Sequence, residues 1–214
     1  MTPAIKICGM RESGNITAAA ELMPDLMGFI FYSGSRRFAG ELLNPEIVSN
    51  LPSVIRKTGV FVNADINEIR DSVAKYSLDV IQLHGDEPPE LCRLIKDTGI
   101  EVIKAFNIGE NMSFSFCRDY IDSTDYFLFD TMTKYHGGSG QKFDWKFLDR
   151  YEAGHPFILS GGISPTDIDN IAGITNPAFY GLDLNSRFEI EPGLKDIEKL
   201  KKFIDKLRNK YKLL

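Results

Sequence analysis

Short apolar runs alternate with amphipathic segments along the whole chain. Eight runs rich in β-branched and aromatic residues predict strands at residues 4–8, 26–31, 58–62, 80–84, 101–105, 126–130, 156–160 and 178–183. Helical periodicity between them predicts helices that include residues 66–76, 90–96, 165–171 and 194–207, with weaker patterns at 45–50 and 112–120. The chain is therefore a series of strand-loop-helix units.

Capping side chains support several of these helices. A residue suited to the N-cap precedes four helical patterns, twice followed by proline at the first helical position, at Asn44-Pro45, Asp65, Asp144 and Ser164-Pro165. Eight repeats without a linker favour an α/β fold, a single (β/α)8 TIM barrel spanning residues 1–214. A doubly wound open sheet is the competing architecture, but it more commonly has fewer strands at this length.

Composition narrows the class of protein. The chain has 214 residues, of which 43% are hydrophobic, enough to bury one substantial core. Its net charge of −5 gives no overall electrostatic reason to bind nucleic acid or an anionic membrane, so an anionic ligand must be held locally. Three cysteines without paired spacing favour reduced thiols. No signal-like or membrane-spanning run is evident, so the cytoplasm is expected.

The end of the first predicted strand carries a candidate base. Active sites of such barrels lie where the strands end, and Cys8 ends its run directly before Gly9. Lys6, two residues earlier, lies on the same strand face, and a nearby ammonium favours the thiolate. Free cysteines are usually small buried apolar residues, which is how we interpret Cys92 and Cys117 within helical patterns. Position makes Cys8 the exception.

The sixth predicted strand ends in a candidate acid. Asp130 follows four apolar or aromatic residues, an expensive place for a carboxylate unless it has a use. Capping the following turn is the alternative role. Partial burial there would suit a general acid. The glycine-rich residues 137–140 that follow are either a lid or an idle loop.

Loops after the seventh and eighth strands predict an anion site. Gly161 and Gly162 follow the seventh strand, and Asp183, Asn185 and Ser186 end or follow the eighth. These two loops are the recurrent phosphate site of barrel enzymes, where backbone N–H groups meet the anion.

Three further residues are candidates to bind substrate. Arg37 follows the second strand, and its guanidinium suits a carboxylate or phosphate, whereas Arg36 is expected in solvent. His84 shares a strand face with Gln82, so both can line the pocket, although a lone histidine more often has a structural role. The sequence holds no HExxH, paired CxxC, GxGxxG or P-loop motif, so neither a metal nor another cofactor is expected.

Short motifs occur in a fixed order along nearly the whole chain: Lys6-Ile-Cys-Gly9, Gly28-Phe-Ile-Phe-Tyr32 with Ser35-Arg-Arg37, Gln82-Leu-His-Gly85, Phe129-Asp-Thr131, Gly137-Gly-Ser-Gly140 with Phe143-Asp-Trp145, and Leu159-Ser-Gly-Gly162. Together they resemble the phosphoribosylanthranilate isomerase family of tryptophan biosynthesis. The resemblance implies a cofactor-free Amadori rearrangement that converts a small phosphorylated substrate, N-(5-phosphoribosyl)anthranilate, into 1-(2-carboxyphenylamino)-1-deoxyribulose 5-phosphate. The protein is expected to be a monomer or a homodimer.

The resemblance also implies roles for individual residues. Asp130 would protonate the furanose ring oxygen, and Cys8 would remove the proton from C2. Arg37 would bind the anthranilate carboxylate, while Gly161, Gly162 and the loop after the eighth strand would bind the phosphate.

That last loop departs from the family pattern. The family commonly has Asp-Val-Ser-Ser-Gly-Val-Glu, whereas this chain has Asp183-Leu-Asn-Ser-Arg-Phe-Glu189. Our hypothesis is that Asn185 and Ser186 still donate N–H groups, while Arg187 either faces solvent or adds a charged contact.

One pairing and two alternative functions complete the expectations. A buried Lys6 needs a partner, and Asp183 on the neighbouring eighth strand is the candidate. Another phosphate-binding barrel, such as an indole-glycerol-phosphate synthase or ribulose-phosphate epimerase, would need catalytic lysine and glutamate or metal-binding histidines at strand ends, and neither set is evident. A non-catalytic barrel that binds sugar phosphates is the other alternative, and Cys8 and Asp130 at strand ends argue against it.

Overall fold

A closed barrel of eight parallel strands forms the centre of the fold, in a computed structural model that describes residues 2–109, 112–131 and 145–213. The strands are β1 (Ala4–Cys8), β2 (Leu26–Ile30), β3 (Arg56–Phe61), β4 (Val80–Leu83), β5 (Glu101–Ile108), β6 (Tyr126–Thr131), β7 (Phe157–Ser160) and β8 (Phe179–Leu184). Each pairs with the next in sequence, and β8 pairs with β1 so that Asp183 lies beside Lys6. The predicted barrel is confirmed, and every predicted strand overlaps an observed one.

Helices surround the barrel. They are α1 (Ser13–Ala20), α2 (Pro45–Ser49), α3 (Ile66–Tyr76), α4 (Pro89–Lys96), α5 (Ile168–Ala172) and α6 (Ile197–Lys212), with short 3-10 helices at Gly40–Leu42, Ser115–Ser123, Trp145–Arg150 and Ser186–Phe188. Asn44 caps α2 through the N–H of Glu46, and Asp65 caps α3, as predicted. The predicted cap at Asp144 lies outside the described residues. Within the described ranges, we find no helix with the length and apolar character needed to cross a bilayer.

Three predicted helices differ from the structure. The segment predicted at 112–120 is a 3-10 helix at Ser115–Ser123. Ser164 does not cap a helix at Pro165, because its N–H and hydroxyl both bond to Asp167, and α5 begins only at Ile168. The segment predicted as helix from residue 194 begins instead as a strand.

That strand belongs to a small hairpin. β10 (Leu194–Lys195) pairs antiparallel with β9 (Glu189–Glu191), and Gly193 between them has a φ of +89°, a conformation that favours glycine. Helix α6 follows, capped by Asp196 through the N–H of Lys199. Leu194 and Lys195, which the helical periodicity assigned to the helix, therefore pair with β9 instead.

The N-terminal end of the barrel interior is filled. An apolar layer inside the strands consists of Leu26, Val80, Ile103, Ala105, Leu128 and Ile158. Below it, the Arg56 guanidinium bonds to Glu101 at 2.7 Å and to the Tyr180 hydroxyl at 2.8 Å. A functional cavity inside the strands must therefore open at their C-terminal ends.

Candidate active site

A cavity of about 470 Å³ opens at the C-terminal ends of the strands. Seven of the ten predicted site residues line it: Arg37, Asp130, Gly161, Gly162, Asp183, Asn185 and Ser186. Thr131, Ser160 and Ile163 complete the lining. The other three, Cys8, Gln82 and His84, lie on or directly after β1 and β4 at the same end of the barrel. The predicted residues therefore converge on one region.

Lys6 and Asp183 form a buried ion pair beneath this cavity. The Lys6 ammonium is fully buried and lies 3.0 Å from Oδ1 of Asp183, whose side chain is 5% exposed. The pairing follows from the β1–β8 register and confirms the prediction. Because a buried ammonium without a counter-charge is costly, each charge stabilises the other.

Cys8 shares this interior face with Lys6. A Cβ at Gly28 on β2 would lie 2.8 Å from the Cys8 sulfur and 3.2 Å from the Lys6 nitrogen, so glycine leaves the space in which both groups sit. Cys8 is 3% exposed. The thiol is therefore set deep at the β1 end, beside a fixed positive charge.

The pKa of the Cys8 thiol is raised above its ordinary value. Burial is the largest cause, and the Asp183 carboxylate adds to it, while the Lys6 and Lys195 ammonium groups lower the pKa. Lys6 thus acts in the predicted direction, but the net pKa of Cys8, which the sequence left open, lies above the ordinary value. Burial outweighs one nearby cation.

Cys92 and Cys117 are buried free thiols in α4 and the Ser115–Ser123 3-10 helix, as predicted. Burial raises the pKa of Cys92 to about 11 and that of Cys117 to about 12. Both are inert at neutral pH for this reason.

Asp130 is the accessible carboxylate of the cavity. Its side chain is 32% exposed, the partial burial expected of it, and Oδ2 lies 3.5 Å from Nε2 of His84. His84 in turn bonds through Nδ1 to Nε2 of Gln82 at 3.0 Å. If the Gln82 amide donates, His84 carries its proton on Nε2 and directs it at Asp130.

Gly161 and Gly162 form the backbone side of the cavity. Their φ angles are +90° and +66°, and a Cβ at Gly161 would lie 2.5 Å from the carbonyl oxygen of Thr131. Neither N–H donates a backbone hydrogen bond to another described residue. Successive N–H groups with positive φ make a concave donor surface suited to an anion.

Asn185, Ser186 and Arg187 follow β8 on the other side of this surface. Asn185 accepts a hydrogen bond from Lys195 through Oδ1, and Ser186 begins the Ser186–Phe188 3-10 helix. Arg187 is exposed and does not line the cavity. The predicted lid at residues 137–140 lies outside the described residues.

Arg37 lines the cavity but is already engaged by a carboxylate of the protein. Its Nε lies 2.9 Å from Oε1 of Glu189, and its Nη2 lies 2.6 Å from Oε2. Nη1 has no hydrogen-bond partner among the described residues. Only one edge of the guanidinium is open, a restriction that the sequence alone did not predict. Arg36 is exposed, as expected.

Lys195 is a charged residue beside this site that the sequence analysis missed. It is 1% exposed, and its ammonium bonds to both Glu189 and Asn185. The signal was obscured because Lys195 fell inside the segment predicted as helix. Glu189 entered only as the last residue of the family loop.

Comparison with known proteins identifies the family. The family model described as N-(5'-phosphoribosyl)anthranilate (PRA) isomerase matches residues 5–206. The isomerase of Parabacteroides distasonis is 46% identical over 95% of this chain and 92% of its own length.

Solved structures agree. The phosphoribosylanthranilate isomerase of Thermotoga maritima aligns with a TM-score of 0.81 and 33% identity, covering 97% of this chain and 99% of that one. A second isomerase structure, in complex with reduced 1-(o-carboxyphenylamino)-1-deoxyribulose 5-phosphate, aligns with a TM-score of 0.75 and 30% identity over 97% of this chain and 99% of that one. The chain belongs to the N-(5'-phosphoribosyl)anthranilate isomerase family.

Proposed function

We propose that this chain converts N-(5'-phosphoribosyl)anthranilate into 1-(2-carboxyphenylamino)-1-deoxyribulose 5-phosphate, with Asp130 as general acid and Cys8 as general base. The single observation that carries the proposal is the cavity that brings the Asp130 carboxylate, the Arg37 guanidinium and the Gly161–Gly162 N–H groups together above the buried Lys6. One cavity thus holds a carboxyl group that can act as a proton donor, a guanidinium suited to a carboxylate and N–H groups suited to a phosphate, and these match a substrate that carries both anions.

The reaction begins with acid catalysis. Protonated Asp130 gives its proton to the furanose ring oxygen, the bond from that oxygen to C1 breaks, and the nitrogen lone pair forms an iminium with C1. His84 contacts Asp130 directly and Gln82 contacts His84, so we assign both residues to orienting the acid. We also predict that both side chains contact the substrate.

Base catalysis follows at C2. Cys8 takes the C2 proton, and the electron pair of that bond neutralises the iminium to give an enolamine. Loss of the C2 hydroxyl proton and protonation of C1 then yield the ketone. Since burial raises the pKa of Cys8, thiolate is scarce in the free enzyme, and the adjacent iminium cation favours its formation when it is needed.

Substrate binding uses both ends of the cavity. Gly161 and Gly162, with the backbone of Asn185 and Ser186, would hold the phosphate, and the Nη1 edge of Arg37 would hold the anthranilate carboxylate. Asp183 supports the site through Lys6. We expect no cofactor or metal in this scheme, and a monomer or homodimer in the cytoplasm, where the three free thiols stay reduced.

Kinetics with freshly prepared substrate test the roles. Phosphoribosylanthranilate forms from ribose 5-phosphate and anthranilate, and its turnover is followed by loss of fluorescence. Cys8→Ala and Asp130→Asn should each lower kcat by at least about 10²-fold. Cys92→Ala, which removes an outer-layer thiol, is the control and should retain kcat. A near-normal kcat in either site variant removes that residue from the mechanism.

A further inference from the structure

The carboxylate of Glu189 accepts hydrogen bonds from three residues next to the cavity. Arg37 binds it through Nε and Nη2, Lys195 through its ammonium at 2.6 Å, and Gly193 through its N–H at 3.0 Å. The side chain of Glu189 is 4% exposed. Burial alone would raise the pKa of Glu189, but these partners lower it below its ordinary value, so the carboxylate is ionised at neutral pH.

Lys195 connects this carboxylate to the loop after β8. Its ammonium lies 2.6 Å from Oε1 of Glu189 and 2.8 Å from Oδ1 of Asn185. Its backbone is fixed by Asn15, which accepts from the N–H of Lys195 and donates to its carbonyl oxygen. The buried Lys195 ammonium therefore links Glu189 to Asn185 through two hydrogen bonds.

This network restricts how Arg37 can bind a ligand. Two parallel hydrogen bonds to one carboxylate fix the plane of a guanidinium, and Glu189 occupies the edge formed by Nε and Nη2. Because that plane is fixed, Nη1, which has no partner among the described residues, points in one direction. Arg37 lines the cavity, so Nη1 is the part of the guanidinium left for a ligand. Fixing a binding group before the ligand arrives reduces the entropy lost on binding.

We propose that Glu189 is a positioning residue that determines specificity for a carboxylated substrate, because it orients Arg37 so that only the Nη1 side meets the ligand, with Lys195 holding Glu189 in place. This inference rests on the proposed function. Glu189 touches no reacting atom in this scheme and acts through Arg37.

Two substrates that differ only in the carboxylate test it. N-(5-phosphoribosyl)aniline, prepared from ribose 5-phosphate and aniline, carries the sugar phosphate without the carboxylate that Arg37 would bind. In Glu189→Gln, kcat/KM for phosphoribosylanthranilate should fall by about tenfold or more, chiefly through KM. The reason is that Arg37 loses the charge-assisted bidentate contact with the Glu189 carboxylate that orients it. For the aniline substrate, kcat/KM should change by less than about threefold, because it makes no contact that depends on Arg37.

Glu191→Gln is the matched control. Glu191 lies two residues along the same strand and is exposed, so the same chemical change there should leave both substrates unaffected. Glu189→Asp is the second test variant, and it decides the question if Glu189→Gln does not fold. It keeps the charge but withdraws the carboxylate by one methylene, so a smaller loss confined to phosphoribosylanthranilate is expected.

The outcomes separate the two proposals. An equal loss with both substrates in the folded Glu189 variant shows a merely structural role and overturns the positioning proposal while the proposed function stands. An unmodified enzyme that fails to turn over phosphoribosylanthranilate overturns the proposed function itself. A loss confined to the carboxylated substrate supports the positioning role.

Discussion

Replacing Lys6 by methionine tests the buried pair beneath the cavity. Methionine keeps most of the length of the lysine side chain but removes its charge. Among the described residues, the Asp183 carboxylate then keeps Ser160 as its hydrogen-bond partner, at an Oγ to Oδ2 distance of 3.5 Å. Lys6 is fully buried, so no solvent contact of its own is lost. The variant therefore isolates the effect of an unpaired carboxylate.

The expected cost follows from the geometry. At 3.0 Å and an effective dielectric constant of about 20, the attraction between the two charges is ~5.5 kcal/mol. Removing one partner of a buried pair typically costs about 3–5 kcal/mol. Asp183 lines the cavity, where water can partly hydrate it, so the lower end applies and we expect a loss of ~3 kcal/mol in unfolding free energy at pH 7.

Urea denaturation followed by far-UV circular dichroism measures this loss. The denaturation midpoint should fall while the slope against urea stays constant. Lys6→Met combined with Asp183→Asn removes both charges and should recover at least about 2 kcal/mol of the single-variant loss, because the remaining cost is mainly desolvation of an unpaired charge. A single-variant cost below about 1 kcal/mol, or a double variant whose losses simply add, would refute the account of a mutually dependent pair.

Three further predictions follow from the loops and the outer layer. Gly161→Ala should destabilise the fold by more than the ~1–2 kcal/mol strain of a left-handed residue, since its Cβ would clash with Thr131. Thermal unfolding of Gly99→Ala measures the backbone strain alone, because Gly99 has a φ of +87° and open space around it. Burial would raise the pKa of Glu87, but a backbone N–H and a buried lysine ammonium lower it below its ordinary value. The stabilisation that the Glu87 carboxylate contributes is therefore complete above the ordinary pKa and is lost as pH falls through the lower folded value. In Glu87→Gln the acid side of a plot of Tm against pH should be flatter, and an unchanged slope contradicts this. Arg187→Ala should leave kcat and KM within about twofold, as for other surface changes, and a tenfold rise in KM would instead show contact with phosphate.

Strands and helices with strong local patterns were predictable. The observed bounds of β1 and α3 equal the predicted ones, because a run of apolar β-branched residues or a capped amphipathic helix carries its own signal. The predicted start at Pro165 was wrong because Asp167 captures the N–H and hydroxyl of Ser164, a competition between two local hydrogen-bonding schemes that composition does not settle.

Parts of the site followed from the fold rule alone. Once eight strands are assigned, their C-terminal ends meet, so Asp130, Gly161 and Asp183 fall on one cavity, and neighbouring first and last strands imply that Lys6 meets Asp183. The net pKa of Cys8 could not be predicted this way. It depends on how completely the thiol is buried, which only the packed structure gives.

The β9–β10 hairpin connects two shortcomings of the sequence analysis: the helix predicted from residue 194, and the failure to place Lys195 and Glu189 in the site. Assigning residues 194–207 to a helix hid the β9–β10 pairing, and that pairing places Lys195 beside Glu189. Glu189 lies 152 residues from Arg37 in sequence, so no local pattern could reveal that the guanidinium is half occupied. The proposed phosphate end of the cavity depends on two adjacent glycines, whereas the proposed carboxylate end depends on a charge network between residues far apart in sequence. If these assignments hold, recognition of the carboxylate is the part of the site that changes outside its own motifs would affect most.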